Sequence, residues 1–121
     1  MKYLEKEIRP WGQYYIISNS SHYKLKIIEV NPNSRLSYQY HKKRSECWTI
    51  IKGIGLITIN GVEKKIIYGD SVIIKQGDKH RIKNIGDSKL TFVEVQTGTY
   101  FGEDDIVRLD DDYNRIKDEQ T

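Results

Sequence analysis

The chain has 121 residues, 31% charged and 37% hydrophobic, and its 20 basic and 17 acidic side chains give a formal net charge of +3 at pH 7. This length predicts a single domain over residues 1–121, and near-balanced, scattered charge argues against a nucleic-acid partner. One cysteine, Cys47, excludes an internal disulfide bond, and neither a membrane-spanning run nor an apolar signal core occurs. We therefore predict a soluble, cytoplasmic protein with no membrane partner.

Short apolar runs follow one another along the chain and are separated by clusters of Gly, Asn, Asp and Ser. Polar and apolar residues alternate over 22–30, which favours a strand rather than a helix. Asn60-Gly61 lies between two such runs and predicts a hairpin, because both residues tolerate the positive φ of a type I′ turn. In chain order, about nine strands are predicted, at 13–17, 22–30, 35–41, 46–51, 56–60, 62–68, 71–75, 80–84 and 89–96.

Many short strands with almost no helical pattern predict an all-β sandwich or barrel, and a jelly-roll barrel can hold a site in its interior. The end of the chain is different in character. From about residue 103 it is polar, with acidic clusters at 103–105 and 110–112. We interpret this part as a solvated C-terminal tail, with a helical turn near 104–109.

The stretch 39–53 contains the first candidate site residues. Gln39 and His41 are two apart, so on a strand they point to the same face, and Glu46 follows after a short polar turn. Amide oxygen, imidazole nitrogen and carboxylate oxygen all bind divalent metals. Such a site needs a fourth ligand. His80, which follows the glycine turn at Gly77, is the only histidine in the second half of the chain.

These residues resemble the motifs of a known superfamily. Gln39-x-His41-x4-Glu46-x6-Gly53 resembles the first cupin motif, and Gly69-x5-Lys75-Gln76-Gly77-x2-His80-x3-Asn84 resembles the second. Further stretches are similar to the C-terminal domain of type II phosphomannose isomerases, namely 9–12, 36–41, 44–48, 94–100 and 102–115. In that family the domain is often fused behind a mannose-1-phosphate guanylyltransferase domain.

The resemblance implies a cupin double-stranded β-helix, a jelly-roll barrel in which Gln39, His41, Glu46 and His80 bind one divalent metal ion. The ligand types suit zinc, manganese, cobalt, nickel or iron, so the identity of the metal stays open. The implied partner is a small-molecule sugar phosphate. We also expect a homodimer, because an open jelly-roll edge needs cover.

The implied reaction interconverts mannose 6-phosphate and fructose 6-phosphate by moving a proton between C1 and C2 through an enediol. The metal stabilises negative charge on oxygen as a Lewis acid, and a base carries the proton. Arg44 matches an arginine of the family motif and is predicted to bind phosphate or stabilise the enediolate. The alternative is a turn arginine in solvent.

The base and the other substrate contacts are less defined. Glu94 alternates with valines on a late strand and is the candidate base if it faces the barrel. The alternative, which the sequence supports equally, is that the valines face inward and Glu94 is solvated. Arg108 and Arg115 match the terminal signature of the family and are predicted to close over the substrate. Their alternative is pairing with nearby aspartates.

Four weaker interpretations complete the candidate list. Lys26 shares a strand face with Lys24 and can line the mouth of the barrel, and Tyr100 can donate to the sugar. His22 lies in a serine-rich turn and is interpreted as a surface residue. Cys47, in an apolar strand, is predicted to be a buried, inert thiol.

Three functions remain open from sequence. The first is the metal-dependent isomerase. The second is a non-catalytic cupin that binds a sugar phosphate or nucleotide sugar, or that partners a separate mannose-1-phosphate guanylyltransferase. The third is a different metal-cupin enzyme, such as a dioxygenase or an epimerase, because cupins host many activities. The family also suggests a role in making GDP-mannose or a mannose-containing polysaccharide.

Overall fold

The structure is a computed structural model that describes residues 1–115. No α-helix occurs in this part of the chain, and none of its segments is a helix long and apolar enough to cross a membrane. Its strands are β1 (Glu5–Arg9), β2 (Gly12–Asn19), β3 (Tyr23–Val30), β4 (Tyr38–Tyr40), β5 (Arg44–Lys52), β6 (Ile54–Ile59), β7 (Val62–Ile67), β8 (Ser71–Ile74), β9 (His80–Asn84), β10 (Leu90–Gly98) and β11 (Val107–Asp110).

The strands form two antiparallel sheets. One has six strands in the order β1-β2-β3-β10-β5-β8, and the other has five in the order β11-β4-β9-β6-β7. The hairpin predicted at Asn60-Gly61 joins β6 to β7, and both residues have positive φ, 48° and 82°. The all-β, double-sheet prediction is therefore confirmed.

Strand β10 shows how the interior is divided into an apolar and a polar end. Its side chains alternate, so that Phe92, Glu94 and Gln96 are buried while the intervening valines are only partly buried. Phe92 lies opposite Ile50 of β5, whereas Gln96 lies opposite Glu46. The barrel is consequently packed with apolar side chains at one end and lined with polar groups at the other.

The end of the chain differs from its prediction. The expected helical turn at 104–109 is wrong, because β11 pairs there with β4, with Val107 opposite Tyr40. Nor is the segment from residue 103 simply a solvated tail. Asp105 is buried, and its carboxylate accepts hydrogen bonds from the backbone N–H groups of Lys42 and Lys43. The physical reason is that β4, short and otherwise at a sheet edge, needs partners for its backbone groups.

Two other predictions about the strands are corrected. Cys47 is exposed rather than buried, because it alternates on β5 with Glu46 and Trp48, which point inward. The N-terminal residues form an additional strand, β1, in a hairpin with β2. The edge strands are β1 and β8 in the six-stranded sheet and β11 and β7 in the five-stranded sheet. Edges of this kind are open to further pairing, and the homodimer stays a prediction.

Replacing Phe92 with alanine should strongly destabilise the fold. Phe92 is fully buried, with its ring centroid 4.5 Å from that of Trp48, so Phe92→Ala should lower the free energy of unfolding by about 3–5 kcal/mol. Equilibrium urea denaturation measures this loss. Val93→Ala, on the outer face of the same strand, is the matched control and should cost about 1 kcal/mol or less. Equal losses in the two variants would contradict the assigned orientation of β10.

Candidate metal centre and its cavity

A cavity of about 130 Å³ lies between the sheets at the polar end of the interior. Both sheets contribute to it, because β3, β5 and β10 face β4, β9 and β11 across the barrel. The sequence-predicted site residues that line it are Lys26, Gln39, His41, Arg44, Glu46, His80, Glu94, Arg108 and Arg115. Tyr100 is absent from this lining; it is 40% exposed, and its hydroxyl donates to Asp104.

Three of the proposed ligands converge inside this cavity. His41 follows β4, Glu46 is on β5 and His80 begins β9, and all three are buried. The Nε2 atom of His41 is 3.3 Å from a carboxylate oxygen of Glu46, and the Nε2 atom of His80 is 4.0 Å from the other. Their ligand atoms all lie within 4.8 Å of one another. One cation can therefore contact all three.

Backbone carbonyl groups orient both imidazoles. The Nδ1–H of His41 donates to the carbonyl oxygen of Asp105 at 2.6 Å, and the Nδ1–H of His80 donates to that of Asp78 at 2.8 Å. A proton on Nδ1 leaves the Nε2 lone pair free, and in both rings Nε2 faces Glu46. This is the arrangement by which proteins hold a metal-binding histidine in one tautomer.

The charge states of these groups suit a cation. Burial, Arg44 and His80 lower the pKa of His41 to about 3, so its imidazole is neutral at physiological pH. Burial alone would raise the pKa of Glu46, but the adjacent Arg44 and His80 hold it below its usual value. A neutral imidazole and an ionised carboxylate are the forms that coordinate metals.

Gln39 is the fourth predicted donor, and it lines the same cavity. It lies on β4 directly opposite His80 of β9, and it is buried. Its amide nitrogen donates to the carbonyl and hydroxyl oxygens of Ser37, which leaves the amide oxygen as its available acceptor. Two imidazole nitrogens and two oxygens fit zinc, manganese, cobalt, nickel or iron, so the residues present suit a divalent metal without selecting one.

Arg44 is part of this centre. It is only 6% exposed, so the interpretation as a turn arginine in solvent is wrong. Its Nε donates to Glu46 at 2.8 Å, and its Nη1 donates to the carbonyl oxygen of Gly102. The indole of Trp48 donates to the other Glu46 oxygen at 3.0 Å. Two donors thus hold the Glu46 carboxylate in one orientation.

Glu94 faces the cavity, and the alternative with inward valines is wrong. It is 4% exposed, and Gln96 donates to one of its carboxylate oxygens at 2.6 Å. Burial and the neighbouring Glu46 raise the pKa of Glu94 to about 7, against the opposing effect of Lys26 and Arg44. Glu46 and Glu94 are therefore two buried carboxyl groups in different charge environments.

The remaining predicted residues lie nearer the rim. Arg115 lines the cavity but also forms the alternative pair, with its guanidinium 2.8 and 3.0 Å from the two carboxylate oxygens of Asp111. Arg108, on β11, lies opposite Gln39 of β4 and also lines the cavity.

Sequence reasoning missed two residues of this site. Asp105 supplies the carbonyl group that orients His41, and Glu103 binds Lys24 and Lys26 through its carboxylate. Both belong to the acidic cluster that we assigned to a solvated tail. Their signal was the position of the cluster within a stretch of family-like sequence.

The two sheets, which enclose a buried cluster of His41, Glu46 and His80, have the cupin fold. The structure is similar to the Schizosaccharomyces pombe Cnp3 cupin domain, with a TM-score of 0.65 and 15% sequence identity over 70% of this chain and 64% of that chain. This likeness concerns the fold, and the predicted double-stranded β-helix is confirmed. The family model described as "Mannose-6-phosphate isomerase C-terminal" matches residues 1–111, and the chain belongs to this family.

Curated relatives are considerably longer proteins. A mannose-1-phosphate guanylyltransferase of Salmonella montevideo is 44% identical over 107 residues, which are 88% of this chain and 23% of the relative. The xanthan biosynthesis protein XanB of Xanthomonas campestris pv. campestris (strain B100) is 40% identical over 110 residues, 91% of this chain and 24% of the relative. The chain thus spans about a quarter of the length of these relatives.

Replacing either cavity histidine should abolish tight binding of a divalent cation. His41→Ala and His80→Ala each remove one of four donors, and we expect the affinity for Zn²⁺ or Mn²⁺ to fall by about 100-fold or more. Calorimetric titration of the chelator-treated protein and elemental analysis measure it. His22→Ala is the matched control, because His22 is exposed and outside the cavity. Equal affinity in all three variants would contradict the site.

Proposed function

We propose that this protein is a metal-dependent aldose–ketose isomerase that interconverts mannose 6-phosphate and fructose 6-phosphate. The observation that carries the proposal is the enclosure of a His, Glu and His centre, a buried arginine and a second buried carboxyl group in one cavity. Membership of the family supports the choice of substrate. The names of the relatives support a role in making GDP-mannose or a polysaccharide.

Gln39, His41, Glu46 and His80 would hold one divalent cation. When bound, the cation supplies a Lewis acid that stabilises negative charge on substrate oxygen. The protein contributes two imidazoles whose Nδ1 atoms are held by backbone carbonyl groups, and a carboxylate held by Arg44 and Trp48. These groups are in place before substrate arrives, so little reorganisation accompanies the reaction.

Arg44 stabilises the enediolate in this proposal. Sequence reasoning left open a choice between the enediolate and the phosphate. The hydrogen bond from Arg44 to Glu46 favours the enediolate, because it keeps the guanidinium at the end of the cavity where the proposed ligands meet. A buried cation in a site of low dielectric stabilises a developing oxyanion strongly.

Glu94 is the proposed base that carries the proton between C1 and C2. Its carboxyl group lines the cavity and is oriented by the amide of Gln96. It lies on β10 between Lys26 of β3 and Trp48 of β5, so it faces the same space as the proposed ligands. Burial and the neighbouring Glu46 raise the pKa of Glu94 to about 7, close to the value that suits a general base at physiological pH.

A second candidate function follows from the length of the relatives. The chain matches only about a quarter of proteins named mannose-1-phosphate guanylyltransferase. A non-catalytic cupin that binds a sugar phosphate or nucleotide sugar, or that partners a separate guanylyltransferase, is consistent with this. It uses the same cavity and differs from the first candidate in showing no turnover.

The purified protein should isomerise mannose 6-phosphate only with a divalent metal. Chelator should remove the activity and one of the added metals should restore it, while Arg44→Ala should lower kcat/KM by about 10²–10³-fold. A coupled spectrophotometric assay of fructose 6-phosphate measures it. Lys42→Ala, with an exposed side chain two residues away, is the control. Absence of turnover by the folded, metal-loaded protein would contradict the isomerase function and favour the non-catalytic cupin.

Replacing Glu94 with glutamine should stop proton transfer without emptying the cavity. Glu94→Gln keeps the shape of the side chain but removes the base, so we expect kcat to fall by about 10²–10⁴-fold with unchanged metal content. Wash-out of deuterium from mannose 6-phosphate labelled at C2 should fall in parallel. The control is Glu63→Gln, on an exposed part of β7. Normal wash-out by Glu94→Gln would assign the base elsewhere.

A further inference from the structure

Two buried lysines, of which Lys26 lines the cavity, share a single carboxylate. Lys24 and Lys26 are each 4% exposed, and their ammonium groups are 2.6 and 2.8 Å from the two oxygens of Glu103. Lys24 also donates to the carbonyl oxygen of Phe101, and Lys26 lies over the ring of Tyr14 at 4.1 Å from its centroid. The ammonium groups are therefore fixed side by side.

This arrangement has unequal charges and an accessible anion. Two ammonium groups face one carboxylate, and buried cations are costly unless paired with negative charge. Burial opposes ionisation of Glu103, but the lysines lower its pKa to about 2, so it is ionised at physiological pH. The Glu103 side chain is 41% exposed, whereas the lysines are almost inaccessible. The anion is thus the member of the trio that can leave.

The lysine pair and Glu46 lie on two strands of one sheet that flank β10. Lys24, Gln96 and Glu46 lie in one row across β3, β10 and β5. Adjacent strands are about 4.8 Å apart, so the backbone of Lys24 lies roughly 10 Å from that of Glu46. That separation is comparable to the length of an extended sugar phosphate. Lys26 and Glu103 line the same cavity as Glu46.

We propose that Lys24 and Lys26 form the subsite for the substrate phosphate, and that Glu103 occupies this subsite as an internal competitor until phosphate displaces it. A phosphate dianion matches two ammonium groups better than one carboxylate does. The identity of the anion as a sugar phosphate rests on the proposed function, whereas the anion subsite rests on the lysines themselves.

Displacement of Glu103 would also affect the candidate metal centre. Glu103 lies between Gly102 and Asp105, whose carbonyl oxygens accept hydrogen bonds from Arg44 and His41. One short segment therefore contacts both the lysine pair and the candidate metal centre. Phosphate binding and the orientation of the His41 ring are coupled through this segment in our proposal.

Removing the internal competitor should tighten the binding of inorganic phosphate. Calorimetric titration of chelator-treated protein, which excludes phosphate bound to metal, should show about tenfold tighter binding by Glu103→Gln than by wild type. Phosphate should also raise the Tm of this variant more. Asp104→Asn is the matched control, because it makes the same charge change on the same segment, where Asp104 contacts Tyr100. Phosphate affinity in Glu103→Gln no higher than in wild type would overturn the proposal.

A second variant keeps the proposal testable if Glu103→Gln does not fold. Lys26→Met retains Glu103 and the length of the side chain, and its phosphate affinity should fall by about tenfold or more. Unchanged affinity would overturn the subsite. These titrations need no turnover, so their outcome is separate from that of the isomerase assay. The expected changes in phosphate affinity without isomerisation would overturn only the proposed reaction. Normal isomerisation with unchanged phosphate affinity would overturn only the subsite.

Discussion

The carboxylate of Glu46 is the group on which the rest of the site depends. It is 3% exposed and lies between two imidazoles, a guanidinium and an indole N–H. A buried charge of this kind persists only when every neighbour compensates it. The orientation of His41 and His80, the burial of Arg44 and the position of Trp48 are all parts of that compensation.

The same constraint explains why the end of the chain folds back onto the barrel. The interior contains lysines on β3 that need an anion and a histidine after β4 that needs an acceptor for its Nδ1–H. The segment after Gly98 supplies both, as the carboxylate of Glu103 and the carbonyl group of Asp105. Pairing of β11 with β4 then continues the smaller sheet. The acidic cluster is therefore part of the site.

The two ends of the barrel interior have different roles. The apolar end, around Phe92 and Ile50, supplies stability, and the polar end contains charged groups that a stable core alone would not select. Because charge burial costs free energy, a concentration of buried charge in one cavity indicates a functional site. Its contents are consistent with the family to which the chain belongs.

By itself, the sequence determined the strand pattern, the Asn60-Gly61 hairpin and the residue types of the candidate metal centre. These features depend on local spacing, namely the period of two along a strand and the turn residues beside it. Only the tertiary structure decided which face of β10 is inward, that Arg44 is buried, that Cys47 is exposed and that residues 107–110 form a strand. It also decided the pairing of Lys26 with Glu103, 77 positions apart. Alternation shows that two faces differ but not which one meets the core, and contacts between distant segments have no signal in local spacing.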